Sequence, residues 1–220
     1  MNKLALFDCD GTLVDSQANI CRAMEQAFAH HGLQPPPRGA IRRIVGLSLV
    51  EAMRGLLPGA DDAQHHALAE EYKATFRRMR TSGELDEEPL FDGMVAALDV
   101  LAADGWLFGV ATGKSDRGLA HVLDAHGIAA RFVTLQTADR HPSKPHPSMI
   151  ELAMAEAGAA PHTTVMIGNT SYDMAMARTA GARALGVAWG YHPADELFAA
   201  GAHAVAATVA DLPACMDETE

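Results

Sequence analysis

Two aspartates one residue apart, Asp8 and Asp10, close the apolar run Leu4-Ala5-Leu6-Phe7 and are followed at once by Gly11-Thr12. Alternate side chains of an extended chain point the same way, so the two carboxylates face together while Cys9 faces away. Such a pair persists only with a cation between its members, with a shared proton, or in chemistry that needs one member charged and the other neutral. A single Asp at a strand end is an ordinary turn cap; D-x-D-G-T directly after an apolar strand is a reactive pair. Three later stretches hold further chemistry-bearing residues. Thr112-Gly113-Lys114 follows a second apolar run, Lys144 stands in the Pro-rich segment His141–Pro147, and Asn169 and Asp173 sit in Gly168-Asn169-Thr170-Ser171-Tyr172-Asp173. Taken singly these are a Thr/Gly turn, a solvated lysine and a helix start. Their value depends on whether the fold brings them together.

The element pattern says that it does. Leu4–Phe7 is short and sharply bounded, as a buried strand is. From Ser16 to about Pro89 no good strand appears. Ser16 is placed to cap a helix over Ile20, Met24, Ala27 and Phe28, and Pro35-Pro36-Pro37 makes a stiff connection. Short helices are expected from about Gly39 and over Leu49–Leu57. A long amphipathic helix follows over Asp61–Arg80, carrying Leu68, Tyr72, Phe76 and Met79 inward. Beyond Pro89 helix and strand alternate, the signature of a parallel sheet with crossover helices. Strands are expected at Trp106–Ala111, Arg131–Leu135, Thr163–Ile167, Ala182–Trp189 and, at an edge, His203–Ala207. Helices are expected up to Ala103 and over Asp116–His126, Pro147–Ala157 and Tyr172–Ala180, with a short one near the C-terminus, while the acidic tail 216–220 is expected to fray. In an open parallel sheet ligands bind at the carboxyl ends of the strands, which is where all four chemical stretches fall.

The stretch Asp8-Cys9-Asp10-Gly11-Thr12-Leu13-Val14-Asp15-Ser16 resembles the first motif of the haloacid dehalogenase superfamily, whose members are mostly phosphatases. The later stretches follow in the order that family requires, and the resemblance covers essentially the whole chain. It implies an α/β fold, a Rossmann-like doubly wound parallel sheet, with residues 1–15 and 90–220 as core and 16–89 as an inserted all-α cap of the phosphoglycolate phosphatase-like branch. It implies Asp8 as nucleophile and Asp10 as acid/base. Thr112, Gly113 and Lys114 would meet phosphoryl oxygens, Lys144 would neutralise charge during transfer, and Asp8, Asp10, Asn169 and Asp173 would hold Mg²⁺. The fourth motif departs from the family's usual G-D-x-x-x-D, because Asn169 stands where an acid is usual. An amide oxygen still suits a hard cation, and three readings stay open: a retained metal, a weakened one, or a move away from phosphate chemistry. In the cap, Arg43 and the turn Gly46-Leu47-Ser48 lie where they could reach a substrate's distal group.

Bulk properties narrow the partners. The 220 residues are 49% apolar and 20% charged, with a formal net charge of −11. Nucleic-acid binding needs clustered Lys and Arg, and none occur, so no nucleic-acid partner is expected. A phosphate site in so acidic a chain must be made locally positive. Three cysteines without paired spacing suit a reducing, cytoplasmic setting, and no apolar stretch approaches the roughly 20 residues of a membrane span. The partner expected is a small phosphorylated metabolite; the oligomeric state is left open. The leading expectation is a Mg²⁺-dependent phosphomonoesterase. Beside it stand a metal-independent carbon–halogen hydrolase, a phosphomutase and a non-catalytic phospholigand-binding protein.

Overall fold

Leu4, Leu6 and Ala5, Phe7 are apolar on both sides of one strand, so β1 (Asn2–Phe7) must be covered on both faces. The computed structural model describes residues 1–217; residues 218–220, and with them most of the expected frayed tail, lie outside the described residues. After β1 come α1 (Gln17–His30), α2 (Arg38–Arg43), α3 (Leu49–Leu56) and α4 (Asp62–Ser82), then α5 (Met94–Ala103) and β2 (Trp106–Thr112). The chain continues through α6 (Asp116–Ala125), β3 (Phe132–Thr137), α7 (Ser148–Ala157), β4 (Ala159–Gly168), α8 (Ser171–Thr179), β5 (Arg183–Val187), α9 (Ala194–Ala200), β6 (Ala204–Ala206) and α10 (Leu212–Asp217). The six strands form one parallel sheet in the order β3-β2-β1-β4-β5-β6. The expected α/β architecture is therefore present. β1 lies centrally between β2 and β4, at the point where the strand order reverses.

Each face of the sheet has its own core. Ala5, Phe7, Phe108, Val110, Val165 and Ile167 face one way, toward Leu98 of α5 and Leu119 of α6. Phe7 meets the rings of Phe108 and Phe132 edge-on, with centroids 6.0 and 6.5 Å apart. Leu4, Leu6 and Met166 face the other way, toward Ile150 of α7 and Met174 of α8. Full burial of such side chains stabilises by roughly 1.5–3 kcal/mol each. A third cluster belongs to the helices between β1 and β2: Ile20, Met24, Phe28, Ile41, Met53 and Leu68, with Tyr72 and Tyr191 packed against it.

Local chemistry sets most boundaries. Asp61 caps α4 by accepting from the N–H of Gln64 at 2.8 Å, and Gly83 ends it in a left-handed turn. Ser16 precedes α1 as expected but does not cap it; its hydroxyl donates instead to Asp10 Oδ1. Capping would require this buried hydroxyl to accept from a helix N–H, whereas here it is turned to donate to the carboxylate six residues back. α9 has no counterpart among the expected elements, although Asp195 and Glu196 in its first turn and Gly201 after its end are ordinary helix signals. β4 begins four residues earlier than Thr163, its expected start, because Ala159 pairs with Asn2 across a register shift. Among the described residues no helix is long and apolar enough to cross a membrane.

Candidate active site

The ladder between β1 and β4 runs one bond past the end of β1: the N–H of Asp8 donates to the carbonyl of Ile167 at 2.9 Å. The chain then folds over itself, with the N–H groups of Thr12, Leu13 and Val14 all directed at the carbonyl of Cys9. Gly11 takes φ +78° in this turn, and a Cβ there would stand 2.6 Å from the ring of Tyr191, so the turn has room for glycine alone. The turn fixes Asp8 and Asp10 at the carboxyl end of the central strand, both buried.

Asp8 faces Lys144, whose Nζ lies 2.9 Å from Asp8 Oδ1 and 2.6 Å from Asp173 Oδ1. The lysine side chain has no exposed surface. Asp173 is oriented by the start of α8, where its Oδ2 accepts from the N–H of Thr170 at 3.0 Å and from its hydroxyl at 2.8 Å, closing a capping box. Burial, the largest influence, pushes the Asp8 carboxyl up; Lys144 pulls it down, and Asp173 and Asp10 push it up again, leaving it at about 7. For Lys144 burial works against the charge, but Asp173 and Asp8 together outweigh it and hold the ammonium at about 12. Asp8 Oδ1 meets the ammonium at ion-pair distance yet receives no aligned hydrogen bond. It is a buried oxygen open to a further partner.

Asp10 has different company. Its Oδ1 receives the Ser16 hydroxyl and lies 2.8 Å from Lys114 Nζ. Burial lowers the Lys114 pKa, but Asp10 overcomes it and the net direction is upward. Thr112 closes β2, one strand over, and its hydroxyl accepts from the N–H of Lys114 at 3.3 Å. Gly113 lies against the backbone of the helical insertion: a Cβ at this position would stand 2.6 Å from the carbonyl oxygen of Leu47 and 2.7 Å from that of Gly46.

Asn169 presents nitrogen, not oxygen, to the aspartates. Its Nδ2 donates to the Asp10 carbonyl at 2.7 Å and to Thr12 Oγ1 at 3.0 Å, and lies 3.5 Å from Asp8 Oδ2. Its Oδ1 accepts from the N–H of Tyr191 at 3.2 Å, which sets the amide's direction. Among the described residues no group of three or more His, Cys, Asp and Glu is arranged to hold a metal. The oxygens on hand are Asp8 Oδ1, buried without a hydrogen bond, and the Asp8 Oδ2 and Asp10 carbonyl that share the Asn169 amide N–H groups. Mg²⁺ keeps several waters and is commonly held by one or two carboxylates plus a substrate phosphate, so the donor set fits that ion as a sparse, hydrated site.

The sequence-predicted residues thus divide. Asp8, Asp10, Lys144, Asn169 and Asp173 come together, and Thr112, Gly113 and Lys114 adjoin them from β2. Arg43 does not join them. Its guanidinium forms a bidentate pair with Glu196 on α9, at 2.9 and 2.6 Å, on the exposed seam between insertion and sheet. The Arg43 carbonyl accepts there from Tyr172 Oη at 3.2 Å and lies 3.1 Å from His192 Nε2. Ser16, Tyr191 and His192 had no functional signal in the sequence, because each acts through a partner brought in by the fold.

Above Asp10 and Lys114 a cavity of about 230 Å³ opens under the insertion, walled by Ile20, Met24, Leu49, Tyr72 and Phe76.

Known proteins resemble this chain along most of its length. A family model described as haloacid dehalogenase-like hydrolase matches residues 5–187. "Probable phosphatase IndB" of Dickeya dadantii (strain 3937) is 36% identical over 217 residues, covering 96% of this chain and 92% of that protein. "Phosphoglycolate phosphatase" of Yersinia pseudotuberculosis serotype I (strain IP32953) is 28% identical over 207 residues, covering 94% and 89%. The solved structure of a hydrolase from Pseudomonas syringae superposes with a TM-score of 0.85 at 25% identity, over 99% of both chains. Because the family match runs from the Asp8 strand through the helical insertion to the end of β5, this chain belongs to the haloacid dehalogenase-like hydrolase family.

Proposed function

We propose that this enzyme hydrolyses a small phosphomonoester through a phosphoryl-aspartate, with Asp8 as nucleophile and Asp10 as acid and base. The observation that supports it most is the division of company between two neighbouring carboxylates. Asp8 is buried against Lys144, while Asp10 lines the floor of the cavity beside Lys114 and receives the Ser16 hydroxyl. In this reading an ionised Asp8 oxygen attacks phosphorus as the bond to the ester oxygen breaks. The departing alcohol takes its proton from Asp10, which becomes a carboxylate. Asp10 then accepts a proton from water, the water oxygen attacks phosphorus, and the P–O bond to Asp8 breaks to give inorganic phosphate and the free carboxylate. The fixed charge of Lys144 opposes the negative charge of the transferring group, with Thr112 and the backbone beside Gly113 as partners for its oxygens.

Mg²⁺ is the cofactor in this proposal. Asp8 and the Asp10 carbonyl would hold it, Asn169 would join if its amide turned, and Asp173 would act from behind through Lys144 and the capping box. When bound, the ion supplies positive charge toward phosphoryl oxygens. Residues 16–89 serve as a cap over a core of residues 1–15 and 90–220, and the Arg43–Glu196 pair belongs to the seam between them. The names of the Dickeya and Yersinia relatives support the phosphomonoester class. The acidic composition and unpaired cysteine spacing support a cytoplasmic setting.

The test is phosphate release from a panel of small phosphomonoesters, with and without Mg²⁺, beside Asp8→Asn. Release that disappears in the variant is the expected result. One second reading has an observation behind it: the Asn169 amide N–H directed at Asp8 suits a metal-free carbon–halogen hydrolase. Halide release from a 2-haloacid, without phosphate release from any ester, would replace the proposal with that reading.

A further inference from the structure

The cavity above Asp10 combines apolar walls with a charged lining in which Lys73, Arg77, Arg80, Lys114 and Arg117 outnumber the acids Asp10 and Glu88. Asp10 and Lys114 form its floor, where the leaving oxygen of a substrate must lie, and Ile20, Met24, Leu49, Tyr72 and Phe76 form its sides. Tyr72 and Phe76, one turn apart on α4, lie with ring centroids 5.8 Å apart and planes inclined at 43°. At about 230 Å³ the space is smaller than the roughly 300–1,000 Å³ of pockets for drug-sized ligands, so it suits one ring and its substituents.

Arg80, from the last turn of α4, lines the same cavity. Its guanidinium carbon lies 5.8 Å from the Phe76 ring. Its Nε is buried without a hydrogen-bond partner, and no side-chain ion pair of Arg80 exists among the described residues. Most other cap arginines are paired, as in Arg22–Asp86, Arg38–Glu25, Arg54–Glu51 and Arg78–Glu71. A buried donor without an acceptor is destabilising, and a ligand that brings the acceptor removes that cost. Arg77 and Arg117 add further positive charge at the rim, in a chain whose net charge is −11.

We infer that the preferred substrate is a phosphomonoester whose alcohol carries an apolar, ring-sized body gripped by Tyr72 and Phe76 and an anionic group at its far end for Arg80. The inference rests on the phosphatase reading and narrows it. Glycolate, with its carboxylate only two carbons from the ester oxygen, has no apolar body to cover the walls formed by Ile20, Met24, Leu49, Tyr72 and Phe76.

The test compares kcat/KM for phosphoglycolate, benzyl phosphate and 4-carboxybenzyl phosphate. All three have aliphatic leaving oxygens, so leaving-group acidity does not set the order. The expected order is 4-carboxybenzyl over benzyl over phosphoglycolate, with about tenfold at each step. Phe76→Ala should lower the benzyl-to-glycolate ratio about tenfold, and Arg80→Met should erase the advantage of the carboxyl group while sparing the ratio of benzyl to glycolate. Calorimetric binding of benzylphosphonate, which cannot turn over, should be tighter than that of phosphonoacetate and should weaken in Phe76→Ala. Asp8-dependent hydrolysis with phosphoglycolate preferred, or ratios indifferent to both variants, overturns this inference and leaves the phosphatase reading standing. No phosphate release from any ester overturns both.

Discussion

Asp10 at the floor of the cavity, and Asp8, Lys144 and Asp173 packed at the strand ends beyond it, each lie within 3 Å of an opposite charge; among the described residues Arg80, in the cavity's helical wall, is buried at Nε without a hydrogen-bond partner. The floor comes from strand ends and helix starts, whose hydrogen bonds leave side chains little freedom. The roof comes from helix faces, whose apolar side chains fill space without fixing direction. The contrast separates two tasks. On the proposed function, groups that move protons and phosphoryl charge are oriented before substrate arrives, while groups that select the substrate are left for the substrate to complete.

The largest effect that would sharpen this contrast is at the nucleophile. Asp8→Asn should lower turnover by about 10⁴-fold or more, since the reaction has no second nucleophile. The same variant should melt higher than the wild type in Mg²⁺-free buffer above pH 7. The sign follows from burial raising the Asp8 carboxyl from its ordinary 3.8 to about 7. Between those values the folded protein binds more protons than the unfolded chain, so stability falls as pH rises across that window. A thermal-melt series from pH 4 to 8 on both proteins checks it, and parallel curves would contradict the burial argument.

Asp10→Asn should cost about 10²–10⁴-fold with alkyl phosphates, and distinctly less with 4-nitrophenyl phosphate, whose leaving group needs no proton. Lys144→Met tests the floor as structure. It leaves Asp8 and Asp173 buried without their shared cation, and removing one member of a buried ion pair typically costs about 3–5 kcal/mol, to be read from urea unfolding at pH 8. Asn169→Asp should tighten Mg²⁺ binding by adding a charge beside Asp8, measured by calorimetry. Weaker binding would show that the amide, not the metal, is what the site is built to hold. The smallest effect belongs to the seam: Arg43→Ala should cost no more than about 1 kcal/mol, because exposed pairs contribute little, and added salt should narrow the difference from wild type.

The floor was legible in two ways. Asp8 and Asp10 follow from the two-residue period of a strand and the Gly11 turn, whereas Lys144 and Asp173 stand out only through the resemblance of their stretches to the family's later motifs, and the capping box of Asp173 emerges with the fold. The roof was legible only as a pattern. The helical period put Tyr72 and Phe76 inward, yet nothing in a period distinguishes packing from lining a cavity. Arg43 was assigned to the substrate because its partner, Glu196, is 153 residues away on a helix the pattern had not marked. Ser16 was read as a cap because the short-range rule applies to it, and the carboxylate that takes its hydroxyl becomes its neighbour only after the turn has folded. Tyr191 carries no signal either: it orients Asn169 through its backbone N–H, which any residue other than proline would offer.

The seam at Gly113 has one further consequence. Where the β2 loop meets the carbonyls of Gly46 and Leu47, the space a methyl group would need is already filled. The gap between roof and floor is therefore one hydrogen atom wide at that spot, and the residue there works as a gasket. Any larger residue would hold the roof ajar beside Lys114 and Thr112, and bulk water entering by that gap could intercept the phosphoryl group outside the control of Asp10.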